Sequence, residues 1–277
     1  MSEAVIRVLD LAEIEALLGW AKAEGWNPGL ADAAPFQTAD PQGFIGCFVD
    51  GVMAAGISAV RYGSAFGFIG LYIAHPDFRG RGYGRQVWDA GMAHLKGRTI
   101  GLDGVPEQQA NYRSMGFVPD YETFRWSGAL EGRPHSEICA FDAAQLPALI
   151  EFDRRYFAER RPEFLLNWLA LPRHTKVFLR NGIIAGYVVM RQCHEGYKIG
   201  PILAADFGVA RDLLFSCAIE ARGEVLHIDV PAGQIEFSML LDREGFARGF
   251  RTSRMYRGTP PSFDAAGVFA VTTLELG

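Results

Sequence analysis

The stretch FIGLYIAHPDFRGRGYGRQVWDAGMAHLK, Phe68–Lys96, decides how this chain is read. It opens on an apolar run, Phe68 to Ala74, that reads as a strand. Pro76 follows, and then Gly80, Gly82 and Gly84 alternate with Arg79, Arg81, Tyr83 and Arg85. The segment closes on an amphipathic helix with Val87, Gly91, Met92 and Leu95 on one broad face. Glycines lack a Cβ, so main-chain N–H groups there can crowd around an anion. The following helix brings its unpaired N–H groups and positive dipole end to the same place. Arg79, Arg81 and Arg85 add charge suited to phosphate. Together these features describe a pyrophosphate cradle. The dinucleotide fingerprint GxGxxG fails, because Arg85 stands where its third glycine belongs, and the GK[ST] of a P-loop is missing. A flexible glycine turn with solvated arginines is the plain alternative. The strand, the proline, the arginines and the helix in this order favour the cradle.

Working outward, the chain repeats itself at an offset of about 130 residues. Asp50-Gly51 and Asn181-Gly182 each separate two apolar runs, and both dipeptides suit a two-residue hairpin turn. GFIGLYIAHP, from Gly67, and GYKIGPILAA, from Gly196, both read as strands. Gly116-Phe117 and Gly245-Phe246 both end helices. Two copies of one α/β unit are therefore expected, over residues 1–128 and 138–277, joined near SGALEGRPHSE. Asp10 with Glu13 resembles a capping box, opening a helix with Leu11, Ile14, Leu18 and Ala21 on one face. RTIGLDGV and EVLHIDVP read as the strands after the two long central helices. Hairpins imply antiparallel pairs and helical crossovers a parallel pair, so the fold class is α/β, of the α+β kind, with a mixed sheet.

Composition bounds the function. A chain of 277 residues suggests two domains at roughly 150 residues each. A net charge of -5 argues against a general nucleic-acid binder, which carries a basic footprint, and weakly favours cationic small substrates. No run approaches the length of a membrane span, and the acidic start MSEAVIRVLDLAEIEALL lacks the basic region of a signal peptide. Cys47, Cys139, Cys193 and Cys217 form no CxxC pair, and no HxxxH occurs, so four reduced thiols in a cytoplasmic protein and no metal are expected.

The run Ala74-His75-Pro76-Asp77-Phe78-Arg79-Gly80-Arg81-Gly82-Tyr83-Gly84 resembles the acyl-CoA motif of the GNAT superfamily of N-acetyltransferases. The superfamily's second element, Y-x-x-x-G-F, is matched by Tyr112 to Phe117 on the next helix. The motifs cover about residues 45–125. The whole chain is similar to a bacterial subgroup with two GNAT-like halves, of which the second is degenerate; EGWNPG, DPQGF, FRGRGYG and LDGV carry that likeness. The resemblance implies tandem GNAT-like acyl-CoA N-acyltransferase folds with acetyl-CoA as co-substrate. It implies that Tyr72, Ile73 and Ala74 pair through their backbone with the pantetheine arm. The N–H groups of Gly80, Arg81, Gly82, Tyr83, Gly84 and Arg85 would hold the pyrophosphate, and Tyr112 would sit near the thioester sulfur.

Acetyl transfer to an amine needs a neutral nucleophile, a donor for the developing oxyanion and a proton for the departing thiolate. Tyr112 is the expected acid, since a phenol stays protonated at neutral pH; its plain alternative is a core tyrosine anchoring a helix. No carboxylate lies in Gly70 to His75. For the base Asp103 ranks first, ahead of Glu107, Glu24 and His75, although Asp103 equally suits a cap for the helix near Pro106. Val105 stands where the family often has an asparagine contact to the cofactor. Trp20, Trp26, Phe36 and Phe44 either line the acceptor site or fill the core.

In the second copy the cradle falls on Gly208–Leu214, GVARDLL, with only Arg211, and Tyr112 falls on Leu241. Only the first half is therefore expected to bind acyl-CoA, with the second half supplying a wall of the pocket or pinning the first. The leading function is acetyl-CoA-dependent N-acetyl transfer to the primary amine of a small molecule: an amino acid, a polyamine or an amine-bearing antibiotic. A non-catalytic acyl-CoA sensor and a nucleotide-phosphate binder of another class are the competitors. Neither nucleic acid nor membrane is expected as a partner, and a homodimer is left open.

Overall fold

Hairpins, capping boxes and glycine stops cut the chain into short elements. The computed structural model describes residues 4–277. The first half runs β1 (Ala4–Val8), α1 (Leu11–Ala23), α2 (Ala33–Ala39), β2 (Phe44–Val49), β3 (Val52–Tyr62), β4 (Phe66–Ala74), α3 (Tyr83–His94), β5 (Thr99–Gly104), α4 (Gln109–Ser114) and β6 (Val118–Gly128). The second runs β7 (Ile138–Ala140), α5 (Leu146–Arg154), α6 (Pro162–Trp168), β8 (His174–Arg180), β9 (Ile183–Gln192), β10 (Tyr197–Ala204), α7 (Phe207–Ala221), β11 (Leu226–Pro231), α8 (Ile235–Arg243), β12 (Ala247–Arg257) and β13 (Val268–Ala270).

Local chemistry accounts for most boundaries. Asp50 and Gly51 have φ of 51° and 81°, and Asn181 and Gly182 have 53° and 77°, the positive pair that a tight hairpin of this hand requires. Gly116 and Gly245 stop α4 and α8 at φ of 87° and 84°. Beyond each stop the next amide folds back, Phe117 N–H to the Tyr112 carbonyl and Phe246 N–H to that of Leu241. The capping box at α1 is complete: the Asp10 carboxylate accepts from Glu13 N–H, and the Glu13 carboxylate accepts from Asp10 N–H, both at 2.9 Å. Its buried face is Ile14, Leu17, Leu18 and Ala21, whereas Leu11, expected on that face, is exposed at the helix start.

All strands join one mixed sheet, ordered β1-β2-β3-β4-β5-β12-β6-β11-β10-β9-β8-β7, with β13 beside β10. Only β4 with β5 and β10 with β11 run parallel. The final strands are exchanged between halves. β12 of the second half lies against β5 of the first, and β6 of the first lies against β11 of the second. Buried ion pairs sit across these exchanged ladders. Arg254 opposes Asp103 and Arg125 opposes Asp229, each bridged by two hydrogen bonds of 2.8–2.9 Å. Asp32 of the first half is gripped by Arg173 at 3.2 Å and Arg191 at 3.1 Å from the second.

The largest hydrophobic cluster also draws on both halves, packing Phe36, Phe44 and Phe68 with Phe157, Trp168 and Tyr187. On β4, Phe66, Phe68 and Ile73 face that shared cluster with α1, while Ile69 and Tyr72 face a smaller one with α3. Alternation along the strand thus puts helices on both faces.

One buried carboxylate away from the cleft predicts acid sensitivity. Burial raises the Asp40 carboxyl, but hydrogen bonds from His94 and Arg61 outweigh it and hold the group well below the usual carboxylate range. A depressed folded-state pKa contributes stability above the unfolded-state value of about 4 and loses it as pH falls through the folded-state value. Urea melts of Asp40→Asn should therefore lose stability at pH 7 and show a flatter acid dependence than the parent. Parallel acid curves would disprove the assignment.

Candidate active site

The bulge in β4 shapes the site. Its register against β3 shifts between Gly56 and Ser58, and Leu71 takes a left-handed φ of 45°, unfavourable for a branched side chain. β4 pairs with β5 only from Phe66 to Ile69. Past that point the strands part, and a cleft of about 650 Å³ opens between them. Ile69 to Ala74 form one wall, with Tyr72, Ile73 and Ala74 among them; Leu102, Asp103 and Val105 form the other. Gln108, Asn111 and Tyr112 close one side, and Glu24 and Trp26 reach in from the end of α1.

The glycine loop follows Ala74 and Arg79, which line the cleft. Gly80 and Gly82 have φ of 76° and 85°, and a Cβ on either would meet no atom within 4 Å. Their glycine identity is a demand of the backbone and of whatever approaches it, not of neighbouring side chains. A Cβ on Gly84 would lie 3.2 Å from the Tyr72 hydroxyl, so the third glycine lets α3 start close against β4. Among the described residues, the N–H groups of Gly80, Arg81, Gly82, Tyr83, Gly84 and Arg85 donate to no acceptor in the protein. Six free donors at the start of a 12-residue helix fit a diphosphate. The arginines are less free than their charge suggests. Arg79 donates to the Ala74 carbonyl at 3.0 Å and pairs with Glu24, and Arg85 pairs with Asp89 at 2.8 Å. Arg81 lies 5.7 Å from the Phe78 ring centre.

Tyr112 borders the cleft, its ring stacked on Trp88 with centroids 5.7 Å apart. Burial pushes its hydroxyl up to about 12, so it stays protonated across the physiological range. Asp103 also borders the cleft, but its fully buried carboxylate is held by Arg254 through two 2.9 Å hydrogen bonds. Burial raises the Asp103 carboxyl and the guanidinium opposes that shift. It does not cap the turn at Pro106, whose N-cap is Val105. Glu24 is paired with Arg79, Glu107 is exposed at the cleft, and His75 Nδ1 accepts from Asp77 N–H at 3.4 Å. Of the four aromatics, Trp26 lines the cleft. Phe36 and Phe44 are wholly buried in the shared core, and Trp20 packs beside it. Those three positions resolve in favour of packing or support.

The cleft also holds residues that no motif marks: Arg125 from β6, Phe250 and Thr252 from β12, and Leu274 and Glu275 from the segment after β13. Sequence separations of more than 140 residues between β5 and β12 hide them. An Arg facing an Asp across a strand pair is the only signal, and it needs the register first.

The second half differs from this arrangement in three respects. The N-terminus of α7 is closed by Asp206, whose carboxylate accepts from Val209 N–H at 3.0 Å and would repel a phosphate. Where β10 and β11 part, β13 fills the gap, pairing with β10, and Val271 N–H donates to the Asp229 carbonyl at 3.0 Å. At the position of Tyr112 stands the buried Leu241.

A model described as acetyltransferase (GNAT) family matches residues 11–117, and one described as acetyltransferase (GNAT) domain matches residues 149–270. The chain is 33% identical over 276 residues to a holothin acyltransferase from Pseudoalteromonas sp. (strain SANK 73390), covering 96% of this chain and 92% of that one. This protein belongs to the GNAT family of acyltransferases. The tandem GNAT architecture agrees with solved structures. A putative acetyltransferase from Pyrococcus horikoshii aligns with a TM-score of 0.83 at 18% identity, covering 99% of this chain and 96% of that one. A tandem GNAT protein from the clavulanic acid biosynthesis pathway aligns at 0.62 with 14% identity, over 94% and 100% of the two chains. At these identities the likeness is one of fold. Among the described residues, this GNAT chain has no cluster of three or more His, Cys, Asp and Glu placed to hold a metal. Among the described residues, no helix is long and apolar enough to cross a membrane.

Proposed function

We propose that the first-half cleft transfers an acetyl group from acetyl-CoA to the primary amine of a small molecule. The observation that carries this reading is the conjunction of three features: six free N–H donors at the start of α3, a stretch of β4 parted from β5, and a protonated phenol lining the cleft beside it. Gly80 to Arg85 would hold the diphosphate, and β4 beyond Ile69, where its pairing with β5 ends, would present Tyr72 and Ile73 to an amide-bearing arm. Tyr112 supplies a proton to the leaving sulfur and takes no part in binding the diphosphate. Proximity and orientation in the narrowing cleft contribute the rest.

A small acceptor suits a cleft of about 650 Å³ that the co-substrate's arm must share. The relative's name, holothin acyltransferase, points the same way. In this reading the partner is a small-molecule amine, neither nucleic acid nor membrane takes part, and a second copy of the chain is not needed to complete the site. Four unpaired cysteines suit a reducing compartment such as the cytoplasm.

A thermal-shift screen tests the function: acetyl-CoA is added first, then holothin, lysine, spermidine and kanamycin, with free CoA release measured for each. Stabilisation by acetyl-CoA and CoA release with at least one amine support the proposal. Acetyl-CoA binding without release in the presence of any amine would reject it. Within that assay Tyr112→Phe should lower kcat about 10- to 100-fold while the acetyl-CoA Kd stays within twofold, since only the proton to sulfur is lost. An unchanged kcat would remove Tyr112 from the mechanism.

A further inference from the structure

The second half closes its own cleft and then sends its last residues into the first. After β13 fills the gap beside β10, the chain crosses to β4 and lies against the bulge. Ser58 Oγ donates to the Glu275 carbonyl at 3.3 Å, and Tyr62 Oη donates to the Leu276 carbonyl at 3.0 Å. Thr273 Oγ1 accepts from the N–H groups of Glu275 and Leu276 at 3.2 and 2.9 Å. Gly70 is required here, because a Cβ on it would fall 2.1 Å from the Glu275 carbonyl oxygen. The segment is thus a strap tied to β3 and β4, and it holds the Glu275 side chain in the cleft wall.

That carboxylate differs from the others around the cleft. Glu24 pairs with Arg79, Asp103 pairs with Arg254, and Glu107 is exposed. Glu275 is only 5% exposed, yet among the described residues its carboxylate has no hydrogen bond or ion pair. Its charge is felt by Asp103 on β5, Arg125 on β6, Arg191 on β9 and Lys198 on β10. Each of those cations already has a partner: Asp229 for Arg125, Asp32 for Arg191 and the Trp26 carbonyl for Lys198. In the same lining, Thr252 Oγ1 is buried with no hydrogen-bond partner. The unpaired Glu275 carboxylate stands in that lining too, and a buried hydroxyl without a partner is costly unless a ligand completes it. A primary ammonium, with three donors, does so.

We infer that Glu275, carried on the strap from the degenerate half, binds the acceptor's ammonium and acts as its general base. This rests on the proposed amine acyl transfer in the first-half cleft. The ammonium gives one proton to Glu275, and the free amine attacks the thioester carbon. The C–N bond forms and the C–S bond breaks. The sulfur gains a proton from Tyr112, balanced by the second proton the nitrogen sheds, and the first leaves to solvent from Glu275. The degenerate half therefore keeps a catalytic residue in a site it no longer contains.

The test uses the full chain and the amine of the panel turned over fastest. Glu275→Gln should bind acetyl-CoA with unchanged affinity by calorimetry but lose about 100-fold in kcat/KM for the amine at pH 7. The deficit should narrow towards pH 10, where the amine is already a free base. Glu275→Asp keeps the charge at shorter reach and should retain the parent's pH profile at intermediate activity; it carries the same comparison if the Gln variant melts early. A Gln variant with parental activity and pH profile overturns the role of Glu275 alone. A deficit equal at every pH, or loss of acetyl-CoA binding, assigns the residue to structure instead. Failure of the parent to release CoA with any amine overturns the transfer reading, and this inference with it.

Discussion

Gly82→Glu should weaken acetyl-CoA binding severely while leaving the fold in place. Gly82 has φ of 85°, a left-handed conformation that costs an L-residue about 1–2 kcal/mol. A Cβ there meets nothing within 4 Å, so no clash spreads into the core. The new carboxylate, however, stands among the free N–H groups before α3, where the diphosphate's own charge belongs. Repulsion and blocked donors together should weaken acetyl-CoA by at least about 100-fold, or roughly 2.7 kcal/mol, by calorimetry. The counterpart in the second half provides the contrast. Asp206→Ala removes the carboxylate closing α7 and should leave acetyl-CoA affinity unchanged, because β13 still fills the neighbouring gap. Unaltered affinity in Gly82→Glu, or strengthened affinity in Asp206→Ala, would relocate the binding site.

The second large effect is on stability. Asp103 and Arg254 are buried, bridged by two 2.9 Å hydrogen bonds, and come from opposite halves. Asp103→Ala leaves a guanidinium without its counter-charge and should cost about 3–5 kcal/mol in urea melts. That is a large part of the ~5–15 kcal/mol that holds a domain folded. Replacing both partners, as Asp103→Leu with Arg254→Met, should recover most of the loss, since neither buried charge then remains. A further variant, Asp103→Asn, separates a strut from a base. A strut predicts parental chemistry per folded molecule in the conservative Asp103→Asn, after correction for any change in melting. A base predicts a normal melt and a kcat reduced by orders of magnitude. The bidentate grip of Arg254 favours the strut.

Much of the cleft was legible in residues near one another along the chain. The glycine-arginine run names the anion cradle because main-chain donors, helix dipole and missing Cβ atoms all act within a few residues. Tyr112 is readable because the next motif follows β5 in order and ends at Gly116. Asp103 shows the boundary of such reasoning. Its position on a strand end suggested a base or a cap, but its partner lies 151 residues away and emerges only when β12 pairs with β5. Phe36, Phe44 and Trp26 show it too. All are aromatic and close in sequence, but only the packing of both halves sends two of them to the core and one to the cleft.

Residues close along the chain mark the repeated hairpin turns and helix stops, and they place the expected diphosphate cradle in the first copy. Each of these depends on backbone conformation and chemistry spanning a handful of residues. Packing between distant segments sets which strands pair across the middle of the sheet, what plugs the second cleft, and that Glu275 lines the first. Strand partnership is settled by burial and ladder register between distant segments, and either half's final strand would satisfy the same local pattern in either place.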